Sequence, residues 1–100
     1  MAVVSWTIQA LDDLNAICEF IARDAPRYAQ LFAMQAFEAV DRLETFPLSG
    51  RVVPEINKQE IREVIFGNYR IVYHHTDDKV DIITVHHSAQ IFTIDKLKLE

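Results

Sequence analysis

The chain is expected to fold as an α+β protein: an N-terminal strand, then an αα-hairpin packed on a mainly antiparallel sheet that closes with a three-strand C-terminal meander. Three observations predict this. Apolar residues recur at spacings of three and four between Ile8 and Leu43, then change to alternation between Ile61 and His87. The helical stretch is interrupted at Asp24-Ala25-Pro26, and the alternating stretch at Gly67-Asn68 and at Thr76-Asp77-Asp78-Lys79. Helices and strands segregated along a chain in this way pack as two layers.

Taken in order, Val3 to Trp6 is short, β-rich and apolar and suits a first strand. Thr7 follows as a helix N-cap, its hydroxyl placed to accept an orphan backbone N–H. Ile8, Leu11, Leu14, Ile17, Cys18 and Ile21 then form one stripe, with Asp12, Asp13, Asn15 and Glu19 between them. At Asp24-Ala25-Pro26 one helix stops and another starts, because Asp caps well and Pro is tolerated in a first turn. The second stripe is Phe32, Ala33, Ala36, Phe37, Val40 and Leu43, and that helix ends before Pro47. Phe46-Pro47-Leu48-Ser49-Gly50-Arg51 is a loop by composition, and the stretch to Gln59 has few periodic apolar positions. Strands are expected over Ile61 to Phe66, Tyr69 to His75 and Val80 to His87. The residues Gly67-Asn68 make a tight hairpin turn because both tolerate positive φ. Ile91 to Glu100 fits either a short docked helix or an added strand.

A hundred residues, half of them apolar, make a single domain spanning 1 to 100, long enough to bury roughly two thirds of its unfolded surface. The net charge of −5 argues against a general polyanion binder, since nucleic-acid affinity is set largely by how many phosphates Lys and Arg neutralise. A single cysteine, Cys18, excludes an internal disulfide and reads as a small core residue. No basic region followed by an apolar run opens the chain, and no apolar stretch approaches the roughly 20 residues that span a bilayer. A cytoplasmic protein is the simplest expectation.

The strand after Gly67 alternates Tyr69, Ile71 and Tyr73 with Arg70, Val72 and His74. The first set suits a core, whereas Arg70 sets a cation amid a sheet, where it must be paired or used. With two-residue turns, Ile65 falls opposite Arg70 and Glu63 opposite Val72; beyond the second turn, Val85 falls opposite Arg70, Ile83 opposite Val72 and Asp81 opposite His74. Glu63, Arg70, Val72, His74, Asp81, Ile83, Val85 and His87 would then share one face, a charged groove with an apolar middle. An ion pair with Glu63 is the structural explanation of Arg70, and a binding role the functional one. His74 opposite Asp81 is read as a charge pair. The pairs His74-His75 and His86-His87 do not make a metal site. Neighbours on a strand point to opposite faces, and His74 and His87 fall about 20 Å apart. No phosphate loop, nucleophile triad or paired-cysteine motif is present, and no cofactor is implied.

The order of these segments, with the loop Phe46-Pro47-Leu48-Ser49-Gly50-Arg51, Pro54-Glu55, Ile61-Arg62-Glu63-Val64, Tyr69-Arg70-Ile71-Val72-Tyr73 and Val85-His86-His87-Ser88-Ala89-Gln90, resembles the RelE/ParE toxin superfamily over nearly the whole chain. The resemblance implies the toxin half of a type II toxin–antitoxin pair. It also implies a cognate antitoxin with a segment that folds on contact, and operator DNA reached only through that antitoxin. RelE-like members cut messenger RNA on the ribosome, with an Arg corresponding to Arg70, further cations and a Tyr near the C-terminus. Here Ser88, Ala89 and Gln90 stand where basic residues would be expected, and Phe92, which cannot transfer a proton, stands near the Tyr position. ParE-like members bind DNA gyrase without chemistry of their own, and His87-Ser88-Ala89-Gln90 resembles their ending, with Gln90 in place of Arg. The ParE side is the closer resemblance. The alternatives are a RelE-like ribonuclease, in which Arg70 and His87 would be catalytic, and a non-toxic antitoxin-binding homologue. The residues expected to meet an antitoxin or target are Arg51, Arg62, Arg70, Val72, Ile83, Val85, His87 and Gln90.

Overall fold

The computed structural model describes residues 1–88, so Gln90 and the segment from Ile91 to Glu100 lie outside the described residues. Strand β1 (Val3–Trp6) leads into helices α1 (Ile8–Ala22) and α2 (Pro26–Asp41), the latter extended by a 3₁₀ turn over Arg42–Glu44. Strands β2 (Arg51–Val52), β3 (Ile61–Phe66), β4 (Tyr69–Thr76) and β5 (Lys79–His87) follow. They form a five-stranded sheet in the order β1-β5-β4-β3-β2. β1 runs parallel to β5, and every other pairing is antiparallel.

Thr7 fixes how the helices meet the sheet. Its Oγ1 accepts the Ala10 backbone N–H at 3.1 Å, as an N-cap should, and donates to the Ile82 carbonyl at 2.7 Å. The cap therefore also pins the start of α1 to β5, and this sets the rotation of the helix. Ala10 and Leu14 face the sheet, with Ile17, Cys18 and Ile21 packed beside them. Ile8 and Leu11, expected on that stripe, are exposed instead, Ile8 by 80%. Ile8 lies about 200° around the helix from Ala10, so the pinned cap cannot turn both inward. The cap of α2 also differs from expectation. It is Ala25, with no side-chain hydrogen bond, and Pro26 follows at the first helical position. Because Pro brings no N–H, there is one fewer orphan donor for a residue such as Asp24 to satisfy.

One face of the sheet packs on the helices through Ile71, Tyr73, Val80, Ile82 and Val85, against Leu14, Phe32, Ala36, Val40 and Leu43. The opposite face carries a smaller cluster of Val53, Ile61, Val72 and Ile83, with Ile56 packed against it. Val53 and Ile56 belong to the segment between β2 and β3, so the chain folds over its own second face.

Both hairpin turns form as expected, with Gly67 at φ 57° and Asp77 at φ 50°. The β3–β4 register places Ile65 opposite Arg70 and Glu63 opposite Val72, as the turn length requires. The β4–β5 register starts as expected, with His74 opposite Asp81, and then shifts at a bulge. Tyr73 faces Ile82 while Val72 faces Thr84, so Arg70 stands opposite His86, and Val85 and His87 stand opposite Ile71 and Tyr69. The bulge coincides with a change of neighbour along β5. β1 pairs only as far as Ile82, and beyond it the Asp13 carboxylate of α1 accepts from the Thr84 hydroxyl and, at 3.1 Å, from the Val85 N–H.

Candidate functional site: a chain of four charges

Four alternating charges cross the face away from the helices. Arg51 of β2 donates Nε to Glu63 of β3 at 2.5 Å, and Arg70 of β4 donates Nε to the other oxygen of the same carboxylate at 2.5 Å. Arg70 then grips Glu55 with both remaining nitrogens, Nη1 to Oε2 at 2.7 Å and Nη2 to Oε1 at 2.8 Å. This is the forked guanidinium–carboxylate geometry that fixes orientation as well as charge. Side-chain exposure is 57% for Arg51, 0% for Glu63, 6% for Arg70 and 35% for Glu55. The two inner charges are thus desolvated, while the outer two touch water.

Such burial is stable only because every charge has an opposite neighbour. The effect shows in the proton affinities. Hydrogen bonding from Arg70 holds the Glu55 carboxyl down at about 2, with help from His86. Glu55 and then Glu63 hold the Arg70 guanidinium proton more tightly than usual. Sequence reasoning identified the Arg70–Glu63 pair but missed Glu55, the partner that takes both ends of the fork. The signal was an acid between Val53 and Ile56, the two apolar residues that anchor its turn.

The other expected site residues are distributed as follows. Val72 and Ile83 are buried under Val53 and Ile56, so the apolar middle of the expected groove is already filled by the chain itself. Val85 is buried on the helix side of the sheet. His87 stands edge-on to Tyr69, with ring centroids 5.4 Å apart, and Tyr69 meets Phe32 in the same way at 5.3 Å. Neither Val85 nor His87 shares the face of Arg70, because the bulge reverses the alternation that would have put them there. Arg62 is engaged locally. Its Nε donates to the Gln59 carbonyl at 2.9 Å and its Nη1 to the Gly50 carbonyl at 3.0 Å. It therefore braces the loop before β2.

That loop is fixed a second time by Tyr73, whose hydroxyl donates to the Pro47 carbonyl at 2.7 Å and accepts the Gly50 N–H at 3.1 Å. Burial pushes the Tyr73 phenol upward in pKa, which keeps it a donor. A Cβ on Gly50 would lie 2.6 Å from both the Glu63 carbonyl and the Tyr73 hydroxyl, so glycine is required there. The loop in turn delivers Arg51 to the edge of the sheet. β2 pairs with only Arg62 and Glu63 of β3, leaving Val64 to Phe66 beyond its reach. A concavity of about 290 Å³ lies along this edge, bordered by Arg42, Ser49 and Arg51. On the helices, Phe20, Tyr28, Leu31 and Met34 project into solvent. Among the described residues no three His, Cys, Asp or Glu side chains converge as metal ligands would, and no helix is long and apolar enough to cross a membrane.

Residues 4–92 match the family model described as the ParE toxin of type II toxin-antitoxin system, parDE. The chain belongs to the ParE toxin family. It is 36% identical over 92 residues to "Toxin RelE2" of Caulobacter vibrioides, a match that spans 91% of this chain and 100% of that protein. Among solved structures it is similar to the chromosomal ParDE toxin–antitoxin system from P. aeruginosa, with a TM-score of 0.74 and 19% identity, covering 87% of this chain and 96% of that one. It is also similar to the toxin–antitoxin complex RelBE2 from Mycobacterium tuberculosis, with a TM-score of 0.54 and 24% identity, covering 86% of this chain and 96% of that one. At these identities the two structures bear on the fold. Both share the two-layer arrangement of this ParE-family chain, within the wider RelE/ParE superfamily.

Proposed function

We propose that this ParE-family chain acts by binding DNA gyrase, performs no bond chemistry itself, and is neutralised in the cytoplasm by a cognate antitoxin. The observation that carries the reading is the pairing of Arg70. Messenger RNA cleavage needs a cation free to stabilise a pentacovalent phosphorus, with an acid and a base beside it. Arg70 instead spends its fork on Glu55 and its Nε on Glu63. The bulge also carries His87, the candidate acid or base, to the other side of the sheet.

An antitoxin segment has two surfaces of suitable chemistry. An amphipathic helix suits the exposed Phe20, Tyr28, Leu31 and Met34 of the hairpin, and an extended acidic strand suits the edge of β3 that β2 does not reach, beside Arg42 and Arg51. A RelE-like ribonuclease is the second reading, favoured by the relative named Toxin RelE2. It requires Glu55 to leave Arg70.

Induction of the toxin without its antitoxin separates the readings. Gyrase-dependent DNA breaks with intact messages are expected. Ribosome-dependent cuts in messages would establish the ribonuclease, and unimpaired growth would leave an antitoxin-binding homologue without toxicity.

A further inference from the structure

We infer that the turn Phe46-Pro47-Leu48-Ser49 is the knob by which this chain seats on its gyrase target, with Phe46 and Leu48 entering an apolar recess whose rim is acidic. The inference rests on the gyrase reading and gives it a surface separate from the helix hairpin.

Three observations support it. The first is exposure without a part in the core. Phe46 is 62% and Leu48 58% exposed, and neither belongs to the apolar cluster on either face of the sheet. Two large apolar side chains on one turn leave water only when a partner covers them. The second is how firmly the turn is held. The Ser49 N–H closes on the Phe46 carbonyl at 3.0 Å, with Pro47 at the turn position that its fixed φ suits. The Phe46 N–H donates to the Arg42 carbonyl at 2.8 Å, and the Tyr73 hydroxyl holds Pro47 and Gly50. Arg62 Nη1 donates to the Gly50 carbonyl at 3.0 Å and to the Leu48 carbonyl at 3.4 Å. None of these bonds uses the Phe46 or Leu48 side chain. The backbone is therefore set before a partner arrives, and little conformational entropy is lost on binding.

The third is charge and shape, which together define the occupant. Arg42 and Arg51 border the concavity beside the turn, whereas Glu63, the carboxylate that borders it, has no exposure. The accessible charge of that concavity is positive in a chain of net charge −5, so the complementary rim is acidic. A segment that folds on contact is received by a groove or a sheet edge. A closed turn with two side chains standing in solvent needs instead a recess already formed in a folded protein. Tyr28 and Leu31 lie near the start of α2, about 20 Å of helix away from the 3₁₀ turn that precedes Phe46. An antitoxin helix on that end of the hairpin leaves the knob uncovered.

The test measures binding of the purified full-length chain to purified DNA gyrase and to the cognate antitoxin, for wild type and for Phe46→Ser with Leu48→Ser. The double variant changes only exposed side chains and should keep the wild-type melting temperature. Its gyrase affinity should fall ~100-fold, the scale of two anchors lost from one interface, while antitoxin affinity stays within ~2-fold. Each single variant should lose ~10-fold, and these decide the matter should the double variant fail to fold. Arg42→Ala should slow association with gyrase and flatten its salt dependence. Unchanged gyrase affinity in the folded variants overturns the inference. So does a loss of antitoxin affinity with gyrase affinity kept, which would make the turn an antitoxin contact. A loss of self-association with gyrase affinity kept would make it a contact between copies and overturns it equally. Wild type that does not bind gyrase at all refutes the gyrase reading itself, and this assignment falls with it.

Discussion

The two faces of the sheet are held by different forces. On the helix side the contacts are apolar, from Leu14, Phe32, Val40 and Leu43 to Ile71, Tyr73 and Ile82. On the other side a small apolar patch of Val53, Ile61, Val72 and Ile83 lies beside the chain of Arg51, Glu63, Arg70 and Glu55. Apolar packing is non-directional and holds no charge to screen or titrate, whereas the charge chain depends on every member being present and ionised. The difference separates two kinds of constraint: the helix face holds the layers together by packing, and the charged face fixes the directions of Arg51, Glu63, Arg70 and Glu55.

The comparison can be broken most severely from the apolar side. Phe32→Ala removes a ring that meets both Phe66 and Tyr69, and should cost about 3–5 kcal/mol in urea unfolding, with the same loss at low and high salt. A strong salt dependence would contradict the assignment of forces. Glu63→Gln comes next. It removes the buried charge that holds both Arg51 and the Nε of Arg70, so a loss of about 3 kcal/mol is expected. A loss below ~1 kcal/mol would mean that the chain of charges contributes little beyond its shape.

The smallest effect concerns Glu55. Its carboxyl is depressed from the usual 4.5 to about 2 in the folded protein, so its contribution to stability is complete above the unfolded value and lost as pH falls through the folded one. Wild type should therefore lose more melting temperature than Glu55→Gln as pH is lowered from about 4.5 to about 2, with the two converging at the acid end. Parallel curves would show that Glu55 is not held by Arg70 in solution.

Legibility in the sequence followed the range of each interaction. Gly67-Asn68 is local, and a two-residue turn forces Phe66 opposite Tyr69, so the whole β3–β4 register could be derived. The Thr7 cap was equally local. The β4–β5 register could be derived only as far as Tyr73. The bulge after it goes with contacts from Asp13, a residue some 70 positions earlier whose reach no periodicity reveals. The exposure of Ile8 and Leu11 escaped for the same reason, since the rotation of α1 is set by the bond from Thr7 to Ile82. At the candidate site, Arg70 was recognisable as a cation needing a partner, and Glu63 as a candidate, because both lie on strands whose pairing was known. Glu55 lies in a segment without period, and nothing local directs its side chain.

The sequence by itself determined the elements, their order, the first hairpin register and membership of a toxin superfamily, because periodicity, turn chemistry and motif order are written in neighbouring residues. Only the tertiary structure decided that the Arg70 face is covered by the chain's own loop, that Val85 and His87 turn to the helix side, and that Arg70 is closed by Glu55. Each of these depends on where a distant segment comes to rest. That is settled by packing and charge balance in three dimensions and leaves no repeat in the sequence.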